Sequence, residues 1–167
     1  MELLIVRHAI AFDRDGSRWP VDRERPLTRE GIRRARCAAA GLARLAPRPT
    51  RVLTSPLVRA RATAAILTQY ARWPEASPCP LLEPGAAPAE LLELLARSGQ
   101  RSMAVVGHEP DLGSLLSACL PGKAAGNAFS FRKMGAAQVS FRGRPRPGAG
   151  TLRWLVTPRL LRTLAPE

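Results

Sequence analysis

The sequence predicts an α/β protein, a three-layer α/β/α sandwich with helices on both faces of a mostly parallel sheet, and three observations carry that expectation. Apolar runs at residues 2–7, 51–54 and 103–107 have the length and composition of central strands covered on both sides. Each run ends in a short turn or loop that leads into a stretch with apolar residues at helical spacing. Two alternating segments, 136–141 and 151–157, form a hairpin-like pair near the end of the chain.

The elements follow in order. After the first strand a polar loop runs over residues 9–27, longer than a simple connection needs and therefore functional or mobile in expectation. Thr28 is placed to cap a helix, with Glu30 in its first turn and Ile32, Ala35, Ala39, Leu42 and Leu45 forming its apolar stripe up to Pro47. Behind the strand at 51–54, Ser55 reads as an N-cap and Pro56 as the first residue of a helix that extends to about Tyr70. Prolines crowd residues 73–88, where one short strand is expected at 80–82. A leucine-rich helix at 89–98, the strand at 103–107 and a helix capped by Asp111 come next, the last ending near Leu120-Pro121-Gly122. The Gly/Pro/Arg segment 142–150 joins the final two strands, and Pro158 opens a short helix through Leu164.

A chain of 167 residues suits a single domain, expected to span 1–167. Its apolar runs fall far short of the roughly 20 residues of a membrane span, and no basic leader precedes the first strand, so a cytoplasmic protein with no membrane partner is expected. Cys37, Cys79 and Cys119 are widely separated without C-x-x-C spacing, which argues against a disulfide framework or zinc site and for free thiols. The net charge of +13 is nearly all arginine, since Lys123 and Lys133 are the only lysines. That charge is scattered, and the few aromatic residues are not interleaved with it as a base-stacking surface needs, so no nucleic-acid partner is expected. The basic surface should instead attract anionic proteins or phosphorylated substrates in a salt-dependent way.

The chemistry gathers at strand ends, where open α/β sheets bind ligands. The chain has only two histidines, His8 and His108, and each directly follows an apolar run. Arg7 precedes His8, and a guanidinium at the edge of a sheet interior needs an anionic partner such as a phosphoryl group. Arg59 falls in the first turn after Ser55-Pro56, where backbone N–H groups already favour an anion and its fork suits phosphate oxygens. Two histidines with two arginines suit phosphoryl transfer through a covalent phosphohistidine better than a metal site, and no metal or other cofactor is expected.

These residues resemble a known family. Arg7-His8-Ala9 is similar to the Arg-His-Gly signature of the histidine phosphatase superfamily, with its phosphoglycerate mutase-like fold. Ser55-Pro56-Leu57-Val58-Arg59-Ala60 with Thr63 resembles the second motif and Gly107-His108 the third. Arg25-Pro26-Leu27-Thr28-Arg29-Glu30-Gly31, Glu109-Pro110-Asp111-Leu112 and Leu152-Arg153-Trp154-Leu155-Val156-Thr157-Pro158 extend the likeness to the short SixA-type branch, the phosphohistidine phosphatases. Ala9 departs from the usual glycine, and Ala62 stands where many relatives carry Glu or Gln.

The resemblance implies roles. His8 would be the nucleophile, its other ring nitrogen oriented by a backbone carbonyl; Arg7, Arg59 and a protonated His108 would hold the phosphoryl oxygens. Glu83 is the candidate general acid, with Glu109, Asp13 and Asp15 behind it, and Arg25 is a further candidate for substrate binding. A phosphoramidate needs little proton donation, because its imidazole leaving group can already be protonated. The implied activity is a metal-independent, monomeric phosphatase acting in signal transduction on phosphohistidine in a protein such as a histidine-containing phosphotransfer domain. A phosphomonoesterase acting on a small phosphate ester or anhydride is the alternative, and a binding module that exploits the +13 charge is a third reading.

Overall fold

The computed structural model describes residues 1–122 and 128–166. Strand β1 (Glu2–Arg7) is followed by helix α1 (Arg29–Leu45), strand β2 (Arg51–Thr54), helix α2 (Val58–Ala71) and strand β3 (Ala76–Pro78). Helix α3 (Pro88–Arg97), strand β4 (Ser102–Gly107), helix α4 (Asp111–Cys119), strands β5 (Ala136–Phe141) and β6 (Gly150–Val156), and helix α5 (Pro158–Thr163) complete the order. The six strands make one sheet in the order β3-β2-β4-β1-β5-β6. β3, β2, β4 and β1 are parallel, whereas β5 pairs antiparallel with both β1 and β6.

Strand alternation sorts the apolar side chains into two layers. Leu4, Val6, Val52, Ala104 and Val106 face α1, α2 and α5; Leu3, Ile5, Leu53, Met103 and Val105 face α3 and α4. Both faces of the central strands are buried, which is why they read as unbroken apolar runs rather than as half-polar ones. The three-layer α/β/α arrangement and its mostly parallel sheet are those the sequence predicts. Among the described residues no helix is long and apolar enough to cross a membrane.

Three local expectations are corrected. The strand after α2 is Ala76–Pro78, and residues 80–82 form a 3-10 turn. The ladder ends where the Cys79 N–H reaches the Thr54 carbonyl at 2.8 Å, and Pro80, with no N–H, opens the turn. Ser55 is not the cap of α2: its N–H bonds the Val106 carbonyl at 2.9 Å, which keeps it in the sheet and delays the helix to Val58, with Leu57 as N-cap. Likewise Asp111 is the first residue of α4 and Pro110 its N-cap, because the Leu112 N–H turns back to the His108 carbonyl at 2.9 Å. Thr28 does cap α1, its hydroxyl accepting the Gly31 N–H at 2.9 Å.

Candidate active site

The order of strands places the ends of β1, β4 and β2 side by side, and the residues just beyond them, His8, His108 and Ser55, lie close together. His8 is pinned by its N–H to the Gly107 carbonyl at 3.0 Å. The Met134 N–H bonds the carbonyls of both Arg7 and His8, at 3.1 and 3.2 Å, so the β1 end is clamped from the β4 and β5 sides. The rings of His8 and His108 stand 5.0 Å apart between centroids.

His8 Nδ1 lies 2.7 Å from the carbonyl oxygen of Ala9. A carbonyl only accepts, so Nδ1 carries the proton and the lone pair is left on Nε2. Burial pushes the His8 pKa down to about 3; the Ala9 carbonyl opposes the shift, and His108, Arg59 and Arg7 add to it. The ring is therefore neutral at physiological pH with a free ring nitrogen, the state in which an imidazole is a nucleophile.

Arg59, only 2% exposed, reaches the pocket from the first turn of α2. Its terminal nitrogens donate to the backbone carbonyl and the carboxylate of Asp22, at 2.8 and 3.0 Å. Arg7 donates from one terminal nitrogen to the Phe131 carbonyl at 2.6 Å. Phe131 is in turn fixed by its N–H, which donates to the Glu109 carboxylate at 2.9 Å. These contacts leave Nε of Arg7, Nε of Arg59 and Nδ1 of His108 buried without a protein partner. Buried guanidinium N–H groups are nearly always paired, so the unmatched donors of Arg7 and Arg59, on residues whose charge reaches both imidazoles, favour an anionic ligand here.

His108 differs from its expected state. Burial and the nearby Arg59 guanidinium push its pKa down to about 3, with Asp22 only partly opposing them, so the ring is neutral in the unliganded pocket. Its Nε2 pairs with the Ser55 hydroxyl at 2.9 Å. The fixed positive charge of the pocket is thus that of the two guanidiniums, and His108 can gain a proton only when an anion arrives to stabilise it.

His8 and His108 stand together, and the charges of Arg7 and Arg59 reach both rings; the other candidates are placed as follows. Arg25 is buried behind Arg59, donating to the Asp22 carboxylate at 2.9 Å and to the Phe12 carbonyl. Glu83 makes its hydrogen bonds to Arg23 at the rim. Asp13 and Asp15 are exposed, and Asp15 caps the backbone of Ser17 and Arg18. Glu109 is half-buried and positions Arg7 through Phe131; burial raises its pKa, opposed by the Phe131 N–H and by Arg7.

Two residues acquire functions that sequence reasoning did not assign. Asp22 binds Arg59 and Arg25 together; burial raises its pKa, but the Arg25 hydrogen bond and Arg59 outweigh this and hold the carboxyl below its ordinary range. Thr63 accepts the Ala9 N–H at 3.0 Å and donates to the Arg59 carbonyl at 2.7 Å, tying the turn after His8 to the helix that carries Arg59. The second motif's threonine was the available signal for Thr63; for Asp22 only its place in the loop before Arg25 was.

Residues 3–80 match the model of the histidine phosphatase superfamily (branch 1). An uncharacterized protein of the cyanobacterium Picosynechococcus sp. (strain PCC 7002) is 36% identical over 142 residues, which cover 81% of this chain and 82% of that one. Among solved structures, the protein histidine phosphatase SixA complexed with tungstate superposes with a TM-score of 0.83 at 28% identity, over 96% of this chain and 99% of that one. A second structure, from Agrobacterium tumefaciens and assigned to the same SixA type, shares the fold with a TM-score of 0.75 at 23% identity, over 93% and 97% of the two chains.

Proposed function

Because this chain belongs to the histidine phosphatase superfamily, we propose that it is a phosphatase whose nucleophile is His8 and whose substrate is phosphohistidine on a protein, as on a histidine-containing phosphotransfer domain. The observation that carries this reading is the fixed tautomer of His8: Nδ1 is held by the Ala9 carbonyl, which leaves the Nε2 lone pair free on a ring 5.0 Å from that of His108. Nε2 attacks phosphorus, the P–N bond to the substrate imidazole breaks, and that imidazole departs with the electron pair and a proton it already carries or takes from solvent. The guanidiniums of Arg7 and Arg59 and the ring of His108 hold the equatorial oxygens through the transfer. Water then attacks the phosphohistidine on His8, releasing inorganic phosphate and restoring the free ring. The two guanidiniums supply the positive charge this requires, so we expect the reaction to proceed in EDTA.

That Glu83 hydrogen-bonds Arg23 favours a substrate whose leaving group needs no dedicated acid, which is a phosphoramidate rather than an alkyl ester. The whole chain acts in this reading as one histidine phosphatase domain. The test is rapid quench into alkali during turnover of a 32P-labelled phosphotransfer domain. Wild type should accumulate acid-labile label on His8, and His8→Ala should lose both the label and turnover while keeping its fold. Undiminished turnover by His8→Ala defeats the nucleophile assignment; a higher kcat/KM for small phosphate esters than for the phosphoprotein defeats the substrate assignment.

A further inference from the structure

A cavity of about 530 Å³ opens on the α1 and α5 side of the sheet, next to the phosphoryl pocket and sharing Arg7 and Ala9 with it. It lies between the first turns of α1, the turn that precedes β5, and α5. Six cationic residues line it, Arg7, Arg34, Arg132, Lys133, Arg159 and Arg162, and no carboxylate does. Arg34 is paired with Glu30, which also holds Arg33; the other five make no ion pair among the described residues. Like charges gathered around one concavity repel each other and focus a positive potential into it, so the free energy of the cluster falls when an anion enters. Ile10, Ala35 and Met134 give the cavity apolar wall, which suits a ligand with apolar atoms between its charges. Its volume is that of a ligand site rather than of a packing defect.

We infer that this cavity is a subsite for a carboxylate-bearing segment of the protein substrate, lying beside the phosphorylated histidine as that histidine enters the His8 pocket. The inference rests on the phosphoprotein reading above and names the feature of the substrate that this site selects. Arg7 is the link, since it lines the cavity and immediately precedes His8 in the chain. An occupant in contact with Arg7 is within reach of being the same molecule as the phosphoryl donor. The cations come from four separate elements, β1, α1, the turn at 132–133 and α5, so the potential is broad enough for several acidic side chains rather than for one small anion. The net charge of +13 works in the same direction, steering an acidic protein toward this face.

The experiment compares two substrates with the Arg159→Glu/Arg162→Glu variant, whose changes lie on α5 away from the reacting atoms, and with the milder Arg159→Gln/Arg162→Gln. Thermal unfolding establishes that each is folded. For the phosphorylated phosphotransfer domain, KM should rise about tenfold or more in the reversed variant and less in the neutral one, with kcat held, a tenfold change being about 1.4 kcal/mol. For p-nitrophenyl phosphate neither constant should move. Raising NaCl from 50 to 200 mM should raise the wild-type KM for the phosphoprotein more steeply than that of the reversed variant. A glutamate-rich peptide should compete with the phosphoprotein well below the concentration at which succinate does. An unchanged protein KM, an equal rise for both substrates, or equal competition by succinate overturns the subsite. A wild type that ignores the phosphoprotein but hydrolyses the small ester overturns the substrate reading together with the subsite, whereas wild-type turnover with indifferent variants overturns the subsite alone.

Discussion

At the scale of single residues, the unliganded pocket keeps both imidazoles neutral by burial while two guanidiniums wait for an anion. The sign of the pH dependence follows. Both histidines have folded pKa values of about 3 against an ordinary 6.5, so the unfolded chain takes up protons first as pH falls. Their contribution to stability is fully present above pH 6.5 and is lost between there and about 3. A bound dianion stabilises imidazolium and raises these pKa values, so binding should draw in protons. The affinity for sulfate, which stays divalent throughout, should therefore increase from pH 7 to pH 5, by at most about tenfold per pH unit for each proton coupled. Calorimetry in two buffers of different ionisation enthalpy measures that uptake; a pH-independent affinity would mean that the anion does not sit against either ring. The four central residues were legible because each sits one step beyond a strand or in a first helical turn, positions fixed by local pattern. Asp22 was not, because its partners Arg59 and Arg25 are chosen by how the 9–27 loop folds back over α2, and nothing local distinguishes it from the other acids of that loop.

At the scale of elements, the strands and helices were legible wherever a continuous apolar run or a helical stripe set the period, as in β1, β4 and α1. Where a residue could cap a helix or extend a strand, the neighbour decided. Ser55 continues the β2 ladder because β4 offers the Val106 carbonyl, and its hydroxyl meets both His108 Nε2 at 2.9 Å and the Leu57 N–H at 3.3 Å. The α1–α5 contact is set in the same non-local way. Gly41 in α1 reads as a weak point of that helix, but a Cβ there would lie 1.7 Å from the Leu161 carbonyl oxygen and 2.8 Å from its carbon. Alanine normally gains a helix about 1 kcal/mol over glycine. Here α5 would have to lift from α1, with Leu161 losing its fully buried seat. Gly41→Ala should therefore lose net stability of about 1–3 kcal/mol, the usual range for overpacking, read as a lower urea midpoint at constant slope. Because α5 carries Arg159 and Arg162, the same variant should weaken phosphoprotein binding more than hydrolysis of p-nitrophenyl phosphate. A variant as stable as wild type, or more so, would show that the two helices are not in backbone contact.

At the scale of the whole molecule, one sheet supplies side chains alternately to two apolar layers, and the pocket draws on β1, β2 with α2, β4 and the loop folded over them. Neither layer can separate without exposing the opposite face of strands that the other layer needs, because Leu4 and Val6 face one way and Leu3 and Ile5 the other. Unfolding should for this reason be a single cooperative transition, followed identically by far-UV circular dichroism and by tryptophan fluorescence. The fluorescence samples distant places: Trp73 is buried after α2, Trp154 lies on β6, and Trp19 sits in the loop against Phe12. The pocket spans the same parts, so an oxyanion that binds only the folded state should raise the whole transition rather than sharpen one part of it. At a hundred times its Kd, sulfate should add about 2.7 kcal/mol to the unfolding free energy with both signals still coincident. Single-tryptophan variants separate the contributions. If Trp19 reports a change at lower urea than Trp73 and Trp154 do, and sulfate removes that early change, then the loop carrying Asp22 opens as its own unit and the Arg59–Asp22 contact is made and broken within the folded protein. Coincidence of all three places the loop in the cooperative core, where Asp22 holds Arg59 in its binding posture before any substrate arrives.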